Sequence, residues 1–425
     1  MDENKACLDI IKKVVYNNFK SSILLNSYRN NKLNYSYILK VVYGVLENKI
    51  YLDYMIQKLS SKKINKLERN VLVILEIGLY NLFFLRKKDY AIVNNIVNFT
   101  KLLNKKSAGF VNAILRNAIR KEKEIKDIKE SGIDYISIKN SHPIWMIKYL
   151  NLYYDLSFLS RFTELNNGIQ RFSIRVNRLK ITKENLIYEL EKLNFKLFES
   201  KISDNCIIIK NPNNILETSL FKEGYFSVQS EPSAKVVEIL NPKENSVILD
   251  LCAAPGSKTS YIAEYTNNNS SIIANDIIEK KLELINQNIK RLKLENITLT
   301  NYDASTYIKN FENTFDYILL DLPCSGLGVI GRKPEIKYNR KLEDIKNISI
   351  LQKEIIFNAV KYLKKGGTLV YSTCTLGNME NEENFYFIKN ISGMEHIKID
   401  NKDFIKYTNV ENGTDGFFIC KFKKR

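Results

Sequence analysis

Two cysteines fifty residues apart carry the clearest chemical signal in this chain. Cys324 lies in Asp321-Leu322-Pro323-Cys324-Ser325-Gly326, and Cys374 in Tyr371-Ser372-Thr373-Cys374-Thr375. Each follows an apolar run rich in strand formers, Phe315–Leu320 and Thr368–Tyr371, so each is expected at the carboxyl end of a strand. In an open α/β sheet that edge is where ligands bind. Upstream, Val247–Leu251 runs into Cys252-Ala253-Ala254-Pro255-Gly256-Ser257-Lys258 and then a helical stretch, a strand–loop–helix pattern. Two thiols facing a nucleotide-type loop point to covalent chemistry on a bound base.

The loop has one glycine, Gly256, rather than the three of a G-x-G-x-x-G fingerprint, and the chain has no G-x-x-x-x-G-K phosphate loop. Without a second glycine the backbone cannot approach a pyrophosphate closely, which argues against dinucleotides and nucleoside triphosphates. Asp276 closes the second strand 26 residues after Asp250, where an acid can accept from both ribose hydroxyls. Asp303 follows the third strand, within reach of an adenine amino group, and Asp321 closes the fourth beside Cys324. Any one of these acids is also an ordinary turn residue. Together, on consecutive strand ends, they suit a cationic sulfonium. The expected cofactor is S-adenosylmethionine, held by Cys252, Ala253, Ala254, Pro255, Gly256, Ser257, Lys258, Asp276, Asp303 and Asp321.

Cytosine C5 is a poor nucleophile, and two thiols are what its methylation asks for. A thiolate adding at C6 makes C5 enamine-like, able to take a methyl group from a sulfonium. Asp321 is the acid positioned for the base N3. A second group must help the C5 proton leave before the thiol is eliminated, and the second cysteine is the natural candidate. Spacing alone does not choose which thiol attacks. Free thiols are only a few per cent ionised at neutral pH, so a nearby cation such as Lys258 would assist.

A chain of 425 residues exceeds one ordinary core and should hold two or three domains. No apolar stretch approaches the roughly 18 residues of a membrane span, and the first twenty residues lack a signal-peptide pattern, so a cytoplasmic protein without membrane contact is expected. The remaining cysteines, Cys7, Cys206 and Cys420, read as small buried hydrophobes. With only His142 and His396 beside scattered cysteines, neither a metal site nor a disulfide framework is expected. The net charge of +18 is uneven: residues 1–130 hold 25 Lys/Arg against 12 Asp/Glu, a net of +13, and the other 295 residues a net of +5. Such concentration is the footprint of a polyanion binder, although a Lys- and Asn-rich composition raises Lys by itself.

The elements that position these residues fall into three regions. Residues 1–130 show apolar positions at helical spacing in Leu8–Val15, Tyr35–Leu46, Leu52–Leu59, Leu67–Leu85, Ala91–Leu103 and Phe110–Ile119, an all-α domain followed by a charged linker from Arg120. Residues 141–230 read as a small α+β subdomain, with strands at 171–177, Cys206–Ile209 and Gly224–Val228 and a helix from Thr182 to Leu193 capped by Thr182. Residues 231–425 alternate strand and helix as a parallel doubly wound sheet does, with strands at Val247–Leu251, Ile272–Asp276, Ile297–Thr300, Phe315–Asp321, Thr368–Ser372 and Phe417–Phe422. Helices are expected at Ser257–Tyr265, Glu279–Leu294 and Asp344–Leu363, the last stopped by Lys364-Lys365-Gly366-Gly367.

These segments resemble the bacterial Sun/RsmB-type 16S rRNA cytosine-C5 methyltransferases of the NOL1/NOP2/sun family. Leu249–Lys258 is similar to that family's cofactor motif, the Asp321–Gly326 and Thr373-Cys374 segments to its two cysteine motifs, and Asn381-Glu382-Glu383-Asn384 to its acidic follow-on. Asp415-Gly416-Phe417-Phe418 resembles the closing strand, Arg175-Val176-Asn177 the connecting region, and Phe110–Arg116 with His142–Trp145 the NusB-like RNA-binding domain and its junction. Ser257 stands where a second glycine is usual and Leu322 where Ala or Pro is usual. The resemblance implies an all-α NusB-like domain, a connecting α+β subdomain and a Rossmann-like methyltransferase domain. It implies that Cys374 is the nucleophile and Cys324 assists release, on 16S rRNA that is naked or in early assembly. A transfer-RNA cytosine methyltransferase and a non-catalytic NusB-like assembly protein are the alternatives. Joint retention of Cys324, Cys374, Asp321 and Lys258 argues against the second.

Overall fold

Residues 1–130 lack proline and hold only three glycines, so little in them interrupts a helix. A computed structural model, which describes residues 3–29, 32–86 and 88–425, has helices there at Glu3–Asn17, Tyr35–Leu59, Arg69–Phe83, Asp89–Leu103 and Ala108–Arg120. The two periodic segments Tyr35–Leu46 and Leu52–Leu59 are one continuous helix, because nothing between them breaks it. Val71 to Leu82 is buried on every side, which makes Arg69–Phe83 the central helix. The expected linker from Arg120 contains a short helix, Glu122–Lys126. These helices belong to one of two units, formed by Met1–Ile169 together with Ile330–Leu342; Gln170–Val329 and Glu343–Arg425 form the other. No helix among the described residues is long and apolar enough to cross a membrane.

The second unit holds two sheets. In the smaller, β1 (Phe172–Val176), β2 (Leu197–Glu199), β3 (Cys206–Ile209) and β4 (Phe226–Val228) pair antiparallel in the order β2-β3-β1-β4. The helix Lys183–Lys192 packs Leu186 and Leu190 against Ile174, Val176 and Ile207 of this sheet. Thr182 caps it, accepting from the Asn185 N–H at 3.3 Å.

The larger sheet is built from β5 (Val247–Asp250), β6 (Ser271–Asn275), β7 (Ile297–Thr300), β8 (Phe315–Asp321), β9 (Leu363–Thr373), β10 (Met394–Ile397), β11 (Ile405–Tyr407) and β12 (Phe417–Lys424). Its order is β10-β12-β9-β8-β5-β6-β7, with β11 on β12. Five neighbours, β9 through β7, are parallel. The wholly parallel sheet expected from the alternation is corrected at one edge: β12 runs antiparallel to β9, and β10 and β11 pair antiparallel with β12. The short loop from Tyr407 to Phe417 leaves no room for the crossover a parallel return needs. A second correction concerns Lys364–Gly367, which lie inside β9 rather than in a helix stop. Gly366 takes a φ of +80° there, and the pairing of β8 with β9 shifts register between Phe315 and Tyr317.

Successive residues of the central strands feed opposite cores. Leu249, Leu320, Leu369 and Phe418 join one cluster, while Ile248, Leu319, Val370 and Ile419 join the other. A strand alternates faces every residue, so near-continuous apolar runs mean both faces are covered. Parallel alignment then puts the ends of β5, β6, β7, β8 and β9 along one edge. Strand order runs outward from β5 in two directions, to β6 and β7 and to β8 and β9, which makes the gap beside β5 a ligand crevice.

Candidate active site

The loop after β5 reaches its helix through Gly256, whose φ of +92° lies in the left-handed region. A Cβ built there would sit 3.0 Å from Ile285 Cγ2 and 3.2 Å from its Cα, so both conformation and space call for glycine. The loop is tied to β6 by the Ala253 N–H on the Asn275 carbonyl at 2.8 Å and the Ala254 N–H on Asp276 Oδ2 at 3.2 Å. Pro255 is exposed and Ser257 half-buried at the helix start.

Acids converge on this loop. Asp250 Oδ2 accepts from the Thr259 hydroxyl at 2.7 Å, whereas Oδ1 is buried with no hydrogen-bond partner among the described residues. Burial pushes the Asp250 carboxyl up to about 7. Burial, and then Asp250, Asp276 and Asp321 in turn, push the Cys252 thiol far up, which keeps it protonated and unsuited to attack. Asp276 is buried, and its Oδ1 accepts from the Ile278 N–H at 3.0 Å. Asp303 is exposed, and its Oδ1 is engaged by the Ser305 N–H at 2.9 Å and hydroxyl at 2.7 Å.

The two cysteines meet. Cys324 Sγ and Cys374 Sγ are 2.9 Å apart, each half-buried. Beside them Lys258 donates to Asp321 Oδ2 at 2.6 Å, and the Ser372 hydroxyl donates to Asp321 Oδ1 at 2.8 Å. The hydrogen bond with Cys374, then burial, pushes the Cys324 thiol well up. Cys7, Cys206 and Cys420 are each buried in an apolar cluster, in keeping with their reading as small hydrophobes.

Sequence reasoning missed the groups that brace the thiols. Glu380, wholly buried, accepts from the Ser325 N–H at 2.6 Å and from its hydroxyl at 2.5 Å. Ser325 Oγ and Thr375 Oγ1 are 2.8 Å apart, which ties the residue after one cysteine to the residue after the other. Asn381 donates to the Thr375 carbonyl at 3.1 Å, and Gln352 to the Pro323 carbonyl at 2.9 Å. Of these, Ser325, Thr375 and Asn381 stood in segments the sequence singled out, whereas Glu380 and Gln352 did not.

Arg175 connects the small sheet to the loop helix. Its guanidinium, fully buried, forms a two-pronged pair with Glu264 at 2.6 and 3.1 Å. It also donates to the Ser257 carbonyl at 2.8 Å and lies over the Tyr261 ring at 4.5 Å. The first turn of the Ser257–Tyr265 helix is thus held from the β1 side.

This arrangement has relatives. A family model described as 16S rRNA methyltransferase RsmB/F matches residues 237–423, that of the NusB family residues 3–120, and that of an RsmF/B-like ferredoxin-like domain residues 142–216. The probable ribosomal RNA small subunit methyltransferase B of Bacillus subtilis (strain 168) is 32% identical, over 98% of this chain and 98% of its own. The chain belongs to the RsmB/F family of 16S ribosomal RNA methyltransferases. The ribosomal RNA small subunit methyltransferase B of Escherichia coli O1:K1 / APEC is 31% identical over 91% of this chain and 90% of its own. As an RsmB/F member the chain shares its fold with PH0851, at a TM-score of 0.80 over 99% of each chain and 23% identity. The structure of NSun6 from Pyrococcus horikoshii with SFG aligns at a TM-score of 0.60 and 26% identity, over 66% of this chain and 98% of its own. In this methyltransferase the NusB match falls on the helices before Lys121 and the RsmB/F match on the large sheet.

Proposed function

We propose that this RsmB/F member transfers a methyl group from S-adenosylmethionine to C5 of one cytosine in 16S rRNA, through a covalent bond between Cys374 and C6. The observation that carries the reading is the pair of thiols 2.9 Å apart at the ends of adjacent strands, with the Lys258–Asp321 pair beside them. The loop residues fit the cofactor: three carboxylates converge there, one with a buried unpartnered oxygen, and Gly256 lets the loop turn tightly against Ile285. Asp276 is the acceptor for ribose, Asp303 faces the adenine side, and Cys252 to Lys258 supply the cradle. S-adenosylmethionine, when bound, supplies the electrophilic methyl group.

The chain's residues carry the rest. The Cys374 thiolate forms a bond to C6, and the C5–C6 electron pair becomes available at C5. Lys258 and Asp321 form the hydrogen-bonded pair through which N3 receives its proton as charge develops. Cys324 sits where it can help take the C5 proton after transfer, so that the Cys374–C6 bond breaks and the base regains aromaticity. Net, one methyl group enters and one proton leaves. The helical residues 1–130 bind the RNA, 141–230 connect, and 231–425 catalyse, on naked or early-assembly small-subunit RNA in the cytoplasm.

Bisulfite sequencing of 16S rRNA from cells with and without the gene tests the reading. One protected cytosine that disappears on deletion, and returns with the wild-type gene but not with Cys374→Ala, is expected. An unchanged pattern of protected cytosines would remove the proposal.

A further inference from the structure

In the helix Tyr35–Leu59, Tyr35, Leu39, Tyr43 and Glu47 recur every four residues and share one stripe, with Ser36, Lys40 and Gly44 on the next. Together with Tyr80 of the central helix they line an open cavity of about 410 Å³. A Cβ on Gly44 would lie 1.9 Å from the Tyr80 ring, so this glycine makes room for the hydroxyl end of that ring beside the cavity. Behind it, the Tyr80 ring stacks on Phe84 with centroids 5.2 Å apart. Aromatic residues at helical spacing are usually core, yet Tyr35 and Tyr43 are only half-buried and Leu39 is 37% exposed.

Two polar groups in this cavity make no hydrogen bond, although the Lys337 ammonium is near enough to attract the Glu47 carboxylate. Among the described residues, neither the Glu47 carboxyl nor the Tyr80 hydroxyl has a hydrogen-bond partner. Burial pushes the Glu47 carboxyl up to about 7, so both its donor and its acceptor forms exist near neutrality. The Tyr80 hydroxyl is raised to about 12 by burial and then by Glu47, and it stays a donor. Lys40 stands at the rim as an exposed cation.

We propose that this cavity of the helical unit holds one unpaired base of the RNA, stacked on Tyr35 and Tyr43 and hydrogen-bonded at its edge by Glu47 and Tyr80. Single-stranded RNA is recognised by stacking splayed-out bases on aromatic rings and bonding their edges. The surrounding charge matches, since residues 1–130 carry a net of +13 and Lys40 can meet the flanking phosphate. An apolar peptide would leave the Glu47 carboxyl without a partner, and an anionic headgroup would be repelled by it. The inference rests on the RNA-binding reading of this unit and adds a base-selective subsite distinct from the cysteines.

The test uses the full chain and RNA hairpins carrying 2-aminopurine at successive loop positions. Quenching at one position is expected, and it should be lost in Tyr35→Ala and in the shape-conserving Glu47→Gln. Affinity should fall about tenfold in Tyr35→Ala, as base–aromatic stacking predicts. The salt slope should stay unchanged, because no phosphate contact is removed. Salt-dependent binding with no quenching at any position, and equal affinity in both variants, would overturn the subsite and leave the RNA-binding reading intact. Failure of the wild-type chain to bind RNA in a salt-dependent manner would overturn both. Quenching of the free 2-aminopurine riboside but not of the hairpins would make the cavity a nucleoside site and sink the proposal.

Discussion

The thiol pair sets the first prediction. If Cys374 attacks C6, Cys374→Ala should neither methylate nor form an adduct. Cys324→Ala should transfer the methyl group, fail to release, and accumulate a shifted protein–RNA band on a denaturing gel. A band with Cys374→Ala and not with Cys324→Ala would reverse the roles. A hairpin loop is the substrate of choice, since unstacking a base costs a few kcal/mol and least where it is already unpaired. Asp250 sets a second prediction. Its folded value of about 7 lies above its ordinary 3.8, so between these values the folded state binds more protons than the unfolded one. Its contribution to stability therefore falls as pH rises through that window and is level above it. Asp250→Asn should show a shallower loss of Tm from pH 4 to pH 8 than the wild type. Parallel curves would mean that Asp250 is not strained by its burial.

At the scale of elements, two strand-end loops are held in register by Glu380. Removing its carboxyl in Glu380→Ala leaves the Ser325 N–H and hydroxyl without their acceptor, a cost of about 3 kcal/mol by denaturant unfolding. Activity should fall further than stability does. A displacement of reacting groups by 1 Å costs roughly a hundredfold in rate, so kcat at a temperature well below melting is the decisive measurement. Loss of stability with kcat intact would show that Glu380 holds the fold and not the thiol geometry. On the other side of the loop, Arg175 and Glu264 form a buried pair. Truncating one partner of such a pair costs about 3–5 kcal/mol. Because Arg175 also holds the Ser257 carbonyl, Glu264→Gln should raise the KM for S-adenosylmethionine more than it lowers kcat. Equal change in both, or in kcat alone, would break that link.

For the whole molecule, charge decides how RNA is captured. The net of +13 in residues 1–130 makes binding electrostatic, with a log–log salt slope of roughly −0.7 per phosphate neutralised on single strands. RNA affinity of the full chain should therefore drop steeply between 50 and 200 mM salt, by at least about tenfold if a few phosphates are contacted. A flat response would mean that these lysines only solvate the surface. Sequence choice should then come from unpaired bases, because A-form grooves hide base edges.

Element types and the strand-end positions of the candidate site residues were legible in the sequence because both are local. Helical periodicity in Leu67–Leu85 and apolar runs such as Phe315–Leu320 report burial that neighbours along the chain already share. Cys324, Cys374, Asp276 and Asp321 could be placed at strand ends for the same reason. The short strands β2, β10 and β11 were not legible, since each is largely exposed or half-buried and carries no apolar run to mark it. What tertiary structure alone decided was which ends meet. Pairing of β8 with both β5 and β9 is settled by burial between distant segments. That pairing brings the two sulfurs to 2.9 Å and Lys258 onto Asp321. The brace of Glu380, Thr375 and Gln352 exists only after that pairing, because each bond in it joins residues with no local relation in the chain.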